Sequence, residues 1–366
     1  MCEYFPGLGS VFTYTVALNT NIINFPAKHT GKLVGLLNAF FAGSPSIFGT
    51  LYYKLFATGD PTEPSNQNFG GFMLFFAILF GVVDILCILF LRKYPNEHDV
   101  SAEMYAYKDS NGVIIGDTEA VIVTENGKND INASTAGYTL QNGYETQRES
   151  DSEEGTCFSI RNTICNLDFE LFIWMFAFAS SVSLVYGNNI TVTSRSVSLN
   201  SYNDKLIIII PITNCVISAV TGILSDQLKE RIPRLVLVVL GMCCFVVSQV
   251  LVMLFADDLT WLVIATVFIG IGTGIIWSLC PTIMKERFSV EHLGRNWGLA
   301  LFVASLVAYA SQLMFGKLYD SHVPENTVDN YCYGKDCITE GYGAFLTVAV
   351  MAVILGVLLS LKKRCC

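Results

Sequence analysis

Apolar residues in this chain fall into blocks about as long as a bilayer crossing, with polar residues between them. Three blocks come first, from about Gly7 to Asn24, Leu33 to Phe56 and Gly70 to Leu91. After a long polar stretch, six more run from Phe169 to Ser194, Leu206 to Leu224, Arg234 to Phe255, Thr260 to Met284, Asn296 to Phe315 and Gly343 to Leu361. About twenty apolar residues rising 1.5 Å each cross a hydrocarbon core of about 30 Å. A segment in hydrocarbon must satisfy its own backbone hydrogen bonds, so each block is expected to be a helix. The polar stretch from Arg92 to about Asp168 is rich in Ser, Asn, Gly and Glu and has no sustained period, which predicts a disordered linker. The pattern therefore predicts an all-α membrane protein with about nine transmembrane helices. Residues 1–92 would form a three-span block, 93–168 an acidic linker, and 169–366 a six-helix bundle.

Composition sharpens this reading. Hydrophobic residues make up 52% of the chain and charged residues only 14%, against about a quarter in soluble domains. The net charge of −9 is concentrated between Glu97 and Glu170, where acids far outnumber Lys108, Lys128, Arg148 and Arg161. Elsewhere the balance is near zero, so nucleic acid is not an expected partner. Membrane lipid and a small-molecule substrate are. Basic residues collect on one side of the spans: Lys28 and Lys32, Arg92 and Lys93, Lys229 to Arg234, Lys285 to Arg295, and Lys362 to Arg364. The loops Gly59 to Asn68, Ala256 to Leu259 and Lys317 to Gly341 carry none of that excess. By the positive-inside rule the basic face, the linker and the C-terminus are expected to be cytoplasmic, and the N-terminus outside. The first block has neither a basic n-region nor a small-residue cleavage site, so a signal peptide is not expected.

One short stretch occurs twice. Asn24 to Leu36 reads NFPAKHTGKLVGL, and Arg287 to Leu299 reads RFSVEHLGRNWGL. Phe25 aligns with Phe288, His29 with His292, Gly31 with Gly294, Lys32 with Arg295, Gly35 with Gly298 and Leu36 with Leu299, all at one offset. A basic turn repeated between two pairs of spans points to two related helix bundles. The repeat equates the first two spans with the fourth and fifth of the C-terminal block. The first bundle is thus expected to be incomplete at its N-terminus.

In its order and spacing of motifs the chain resembles the major facilitator superfamily, and within it the nodulin-like group related to monocarboxylate transporters. The likeness rests on Tyr14-Thr15-x-Ala17-Leu18-x-Thr20-Asn21 running into Asn24-Phe25-Pro26, and on Gly35-Leu36-Leu37, Ser44, Ile47-Phe48 and Tyr52. It continues through Gly187-Asn188-Asn189, through Asn214, and through Gly222-x-x-Ser225-Asp226, which fits the family's G-x-x-x-D turn. Trp277, Pro281, Glu286-x-Phe288 and Gly316-Lys317-Leu318-Tyr319-Asp320 complete it. The resemblance implies two bundles that alternate access to a central site, a small organic solute such as a monocarboxylate as cargo, and a helix broken at the paired asparagines. At Ile23, Thr30, Asn38 and Ser218 this chain lacks a basic residue that the family often has, and with it a natural partner for a carboxylate.

Candidate functional residues follow from polarity in apolar surroundings. Asp226, with Gly222 before it and Lys229, Arg231 and Arg234 after it, is expected to form a gate by pairing with a cation or a neighbouring helix N-terminus. Lys32 and Arg295, in the two repeat turns, are gating candidates of the same kind. Asn188 and Asn189 lie late in an apolar run, where an unpartnered amide costs several kcal/mol, so they are expected to face a cavity or another helix. The competing reading is the glycosylation sequon Asn189-Ile190-Thr191 in an outer loop. Tyr14, Asn38 and Asn214 are cavity candidates, or else interhelical hydrogen-bond partners, and the resemblance adds Trp277. Asp84, a carboxylate well inside a span, is a candidate for proton coupling, or else snorkels towards Arg92.

Gly270, Gly272 and Gly274 sit in a span and are expected to serve helix packing rather than nucleotide binding. Phe72, Phe75, Phe76 and Phe80 form a stripe expected to face lipid. Cys332 and Cys337 share the long outer loop and are expected to form a disulfide. Cys365 and Cys366 follow a basic cluster, a pattern suited to S-palmitoylation. No residue cluster suits a metal, a cofactor or a reaction, so an enzyme is not expected. A secondary or facilitative transporter of a small organic solute is the leading expectation. The alternative is a non-transporting membrane sensor or scaffold, or a truncated, inactive form.

Overall fold

The computed structural model describes residues 4–57, 68–92, 166–288, 292–324 and 331–362. The linker expected at 93–168 lies almost wholly outside them, as do Cys365 and Cys366. All described helices belong to one unit formed by residues 1–93 and 166–366.

Nine α-helices are described: α1 (Tyr4–Asn24), α2 (Thr30–Leu55), α3 (Phe69–Phe90), α4 (Leu167–Ser196), α5 (Asn203–Leu228), α6 (Arg234–Phe255), α7 (Leu259–Arg287), α8 (Leu293–Asp320) and α9 (Asp336–Leu361). All but α1 form segments long and apolar enough to cross a membrane, by length and composition. Polar side chains start several of them. Asn166 accepts a hydrogen bond from the Asp168 amide, Asp258 from Thr260 and Asn68 from Gly71, each satisfying a first-turn donor. Asp168 and Glu170 sit in the first turn of α4, where the helix dipole favours negative charge.

The observed helices outrun the apolar blocks. Helix α5 starts three residues before Leu206 and ends four after Leu224, and α9 starts at Asp336 rather than Gly343. Backbone hydrogen bonding continues through polar turns that hydropathy alone reads as loop. The loop expected at Lys317 to Gly341 is accordingly shortened at both ends, by α8 running to Asp320 and α9 starting at Asp336. Cys332, before α9, and Cys337, in its first turn, form a disulfide with Cα atoms 5.9 Å apart. Two contacts anchor this loop to α4: the Gly334 amide donates to the Ser196 carbonyl, and the Arg195 guanidinium lies over the Tyr331 ring. Gly334 has φ +115, a conformation that a side chain would strain.

Helix α4 is the most enclosed helix. It packs between α8 and α9, buries Phe169, Phe172, Phe176 and Tyr186, and runs unbroken through Gly187-Asn188-Asn189. The break implied by the family resemblance is absent, because a single glycine in an otherwise well-packed helix costs only about 1 kcal/mol relative to alanine. Helices α5, α6 and α7 complete the surround, and α2 packs on α5.

Helix α3 is different: it has no buried residue, while Leu74, Ile78, Ile88 and Phe90 are all more than half exposed. A helix apolar on every side yet enclosed by no other helix needs hydrocarbon as its solvent. Its phenylalanine stripe is only in part the lipid face expected for it: Phe80 is exposed, but Phe72, Phe75 and Phe76 are not. Phe72 and Phe76 reach Tyr52 and Phe48 of α2, with ring centroids 4.8 and 4.9 Å apart, so this part of the stripe is the seam between α2 and α3.

The duplicated turns adopt matching conformations. His29 caps α2 with φ −115 and ψ 9, and His292 caps α8 with φ −105 and ψ 15. Both lie on the same end of the bundle. There Lys285, close to the second copy, donates to the Ile22 carbonyl at 2.9 Å and the Thr30 hydroxyl at 3.1 Å beside the first.

Candidate functional site

Four helix ends meet at a buried charge network on the basic face. Asp226 lies near the C-terminal end of α5, and its side chain is 3% exposed. Its Oδ1 accepts the Gly31 amide at 3.0 Å and its Oδ2 the Lys32 amide at 2.8 Å, so the carboxylate closes the N-terminus of α2. Arg234, first residue of α6, donates from Nη2 to the same carboxylate and from Nη1 to Glu286 of α7 at 3.0 Å. Lys229 completes the chain at 2.6 Å from Glu286. A carboxylate that accepts two first-turn amides and a guanidinium satisfies both helix dipole and cation at once. Asp226 thus has both a cation and a helix N-terminus as partners.

The other gating candidates contribute unequally. Lys32 acts through its backbone amide, and its residue is exposed. Arg231 is exposed in the α5–α6 turn. Arg295 is half-buried, with Nη2 lacking a partner among the described residues.

Glycine makes the latch possible. A Cβ on Gly31 would lie 2.5 Å from the Ser225 hydroxyl and 2.9 Å from the Gly222 carbonyl, and one on Gly222 would lie 2.5 Å from the Gly31 carbonyl. The α2 and α5 backbones therefore touch, which brings the α2 amides within reach of Asp226.

Two turns further along, Asn38 Nδ2 donates to the Ser218 hydroxyl at 2.7 Å, and Ser218 in turn donates to Asn214 Oδ1 at 3.0 Å. Ser218 also reaches the Gly274 carbonyl of α7 at 3.3 Å, so three helices share one hydroxyl. Asn38 and Ser218 are two of the positions where a cation was noted as missing, and here they form one neutral pair. Thr30, a third such position, accepts from Lys285, which places a cation there from another helix.

The remaining cavity candidates separate from this seam. Asn189 is 6% exposed and pairs reciprocally with Gln312 of α8, at 2.9 and 3.1 Å, inside the C-terminal six helices. Its place in mid-helix removes it from the outer loop that the sequon reading required. Asn188 points the other way and is exposed. Trp277 stacks edge-on with Phe176 and Trp297 in an aromatic cluster. Tyr14 of α1 packs on Phe41 of α2 with centroids 4.6 Å apart. Asp84 lies on an exposed face of α3, apart from all of these. Sequence reasoning missed Gln312, although a lone amide in an apolar run was the signal used for Asn189. Ser225, whose hydroxyl bonds the Gly222 carbonyl at 3.0 Å beneath the latch, was also missed as a contact.

Lipid-length helices, one of them with no buried residue, joined by a seam of small residues and buried polar pairs, define a multi-pass integral membrane protein. The chain belongs to the Major Facilitator Superfamily, whose family model matches residues 163–364, more than half its length. It is similar to three fungal proteins described as probable transporters of the MCH1 type. That of Yarrowia lipolytica is 23% identical over 200 residues, 50% of this chain and 41% of the relative. That of Neurospora crassa is 28% identical over 88 residues, 22% of this chain and 15% of the relative. That of Aspergillus fumigatus is 32% identical over 101 residues, 25% of this chain and 16% of the relative. The chain thus spans less than half the length of each.

Proposed function

We propose that the chain works as a secondary transporter of a small organic solute, monocarboxylate-like, of the nodulin-like kind, by alternating access. The observation that carries this is the Asp226 latch. It ties α2, which belongs with α1 to the first block of spans, to α5, α6 and α7 of the second through ionic and dipolar contacts. Such contacts can be exchanged for water when a face opens, whereas an interdigitated apolar core resists separation. The family match and the names of the fungal relatives support transport as the activity. In this reading the basic face is cytoplasmic, the latch holds it shut, and the solute path runs between α1 and α2 on one side and α5, α7 and α8 on the other. Asn38, Ser218 and Asn214 offer neutral hydrogen-bond partners on that path, and Lys285 offers a cation near its closed end for a carboxylate.

The test is uptake of radiolabelled monocarboxylates into proteoliposomes holding the full chain. Saturable uptake is expected, with Lys285→Gln lowering carboxylate transport and Asp226→Asn disturbing every solute carried. A folded, reconstituted protein that moves none of a panel of small organic acids and their neutral analogues sinks this reading in favour of a non-transporting membrane protein.

A further inference from the structure

One face of α4 is open along the helix's last turns, towards the end of the bundle away from the basic face. Gly187 lies against α5, where a Cβ built on it would stand 3.9 Å from Ile210, and Asn189 pairs with Gln312 of α8. At about 3.6 residues per turn, Asn188 must point into the gap between those two helices. Leu184, Thr191 and Arg195 stand at helical spacing from it and share its face. Leu184 is 44% exposed, Asn188 and Thr191 are exposed, and Arg195 is half-buried. Ala177 and Ser181, about two turns nearer the basic face on the same side, are fully buried. The gap is therefore a vestibule, open at the far end and floored in the middle of α4. Helix α2 packs on α5, and Asn19 of α1 meets α8 beside Gly294, so the vestibule faces the first block of spans.

Arg195 stands at the mouth of this vestibule with its charge unmatched. Its guanidinium lies 3.4 Å over the Tyr331 ring, and no carboxylate pairs with it among the described residues. On the basic face, by contrast, Lys229, Arg234 and Lys362 already have carboxylates. The segment that carries Tyr331 is closed by the Cys332–Cys337 disulfide. It is tied down where the Cys332 amide donates to the Tyr319 hydroxyl at 3.1 Å and the Gly334 amide to the Ser196 carbonyl. A ring against one face of a guanidinium fixes its plane and leaves the N–H edge free, and that edge matches a carboxylate bidentately.

We infer that Arg195 selects carboxylates at the mouth of the solute path, engaging the solute before it descends past Thr191 to Asn188. Those two side chains present the next polar groups on the face, Asn188 about two turns deeper than Arg195. With Lys285 near the closed end, the path then has a cation at each end. The inference takes its solute class from the transport reading, yet the binding step is measured without transport.

The experiment is saturation-transfer NMR on the full chain in nanodiscs of neutral lipid, a measurement suited to weak binding. The probes are L-lactate and its neutral amide, lactamide. The parent is expected to bind lactate in preference to lactamide. Arg195→Gln should weaken lactate binding about tenfold, since charge-assisted hydrogen bonds are removed, and leave lactamide unchanged. Arg195→Lys keeps the charge without the fork and should fall between the two. Melting temperatures report that each variant is folded. Lys335→Gln removes another cation from this end of the bundle, one bonded to the Leu254 carbonyl of α6, and should bind as the parent does. Lactate that is bound here but not carried in the uptake assay removes the transport reading and leaves this inference standing. No lactate binding by the parent, equal binding of lactamide, undiminished lactate binding by Arg195→Gln, or an equal loss in Lys335→Gln overturns it. A loss in Arg195→Lys as complete as in Arg195→Gln assigns the effect to packing on Tyr331 and overturns it as well.

Discussion

Asp226 carries three partners through two oxygens, two of them backbone amides at the N-terminus of another helix. Removing its charge leaves the buried Arg234 held by Glu286 alone, and breaking one side of a buried pair costs up to about 3–5 kcal/mol. Asp226→Asn is therefore expected to lower the melting temperature of the purified protein markedly. Arg234→Gln should do the same, and the double variant should lose clearly less than the sum, as measured by a double-mutant cycle on thermal unfolding. Additive losses would mean that the two side chains act separately. The Asn189–Gln312 pair has a different balance. Interhelical hydrogen bonds between neutral groups in membranes contribute about 0.6 kcal/mol on average and up to about 1.7 kcal/mol. Asn189→Ala and Gln312→Ala should each destabilise by about 1 kcal/mol, and together by little more, because either change alone already breaks both bonds of the reciprocal pair.

At the scale of helices, the seam between α2 and α5 is set by glycines, and the sequence repeat supplies its own control. A methyl on Gly222 would meet the Gly31 carbonyl at 2.5 Å and the Gly35 Cα at 2.8 Å, both backbone atoms that cannot turn aside. Gly222→Ala must push the two helices apart, at about 1–3 kcal/mol for overpacking. Gly298 is the repeat equivalent of Gly35, yet nothing lies within 4 Å of a Cβ built there, so Gly298→Ala should be neutral or slightly stabilising. Parallel melts of the two variants check this, and equal destabilisation would contradict the packing described. The helices themselves were legible because hydrophobic length is a strong signal in a membrane chain. The charged end of the seam was legible too, since Gly222 and Asp226 kept their spacing beside a basic turn. Three things were not. Lys32 looked like a gating cation because sequence shows side chains, whereas the contact runs through its amide. The phenylalanines of α3 looked like a lipid face because a stripe does not reveal which neighbour it meets. Trp277 was read as cavity-lining, but only the fold brings Phe176 and Trp297 against it.

Across the whole unit, contact along α2 is uneven. From Gly31 to Gly43 the helix stays against α5, running antiparallel from Asp226 to Cys215, with Val34, Asn38, Ala39 and Ala42 all buried. Beyond that Ile47 is 67% exposed, and nothing lies within 4 Å of a Cβ built on Gly49. The closest backbone approach of the two helices thus lies at the basic face, the end at which the proposed path would be closed. Lys285 reinforces this end by joining α7 to the turn between α1 and α2. If the latch holds that end closed, weakening it must raise opening at the basic end before it affects the rest of the fold. Hydrogen exchange separates these, because amides report local opening up to global unfolding. In Asp226→Asn, deuterium uptake should rise at Gly31 and Lys32, whose amides the carboxylate accepts, and in neighbouring residues of the first turn of α2. Uptake in α4, enclosed between α8 and α9, should stay as in the parent protein. A uniform rise across α2 and α4 would mean that Asp226 supports global stability only. No rise at Gly31 would mean that the α2 terminus is held by its glycine packing, and the latch would then not be what keeps the basic face shut.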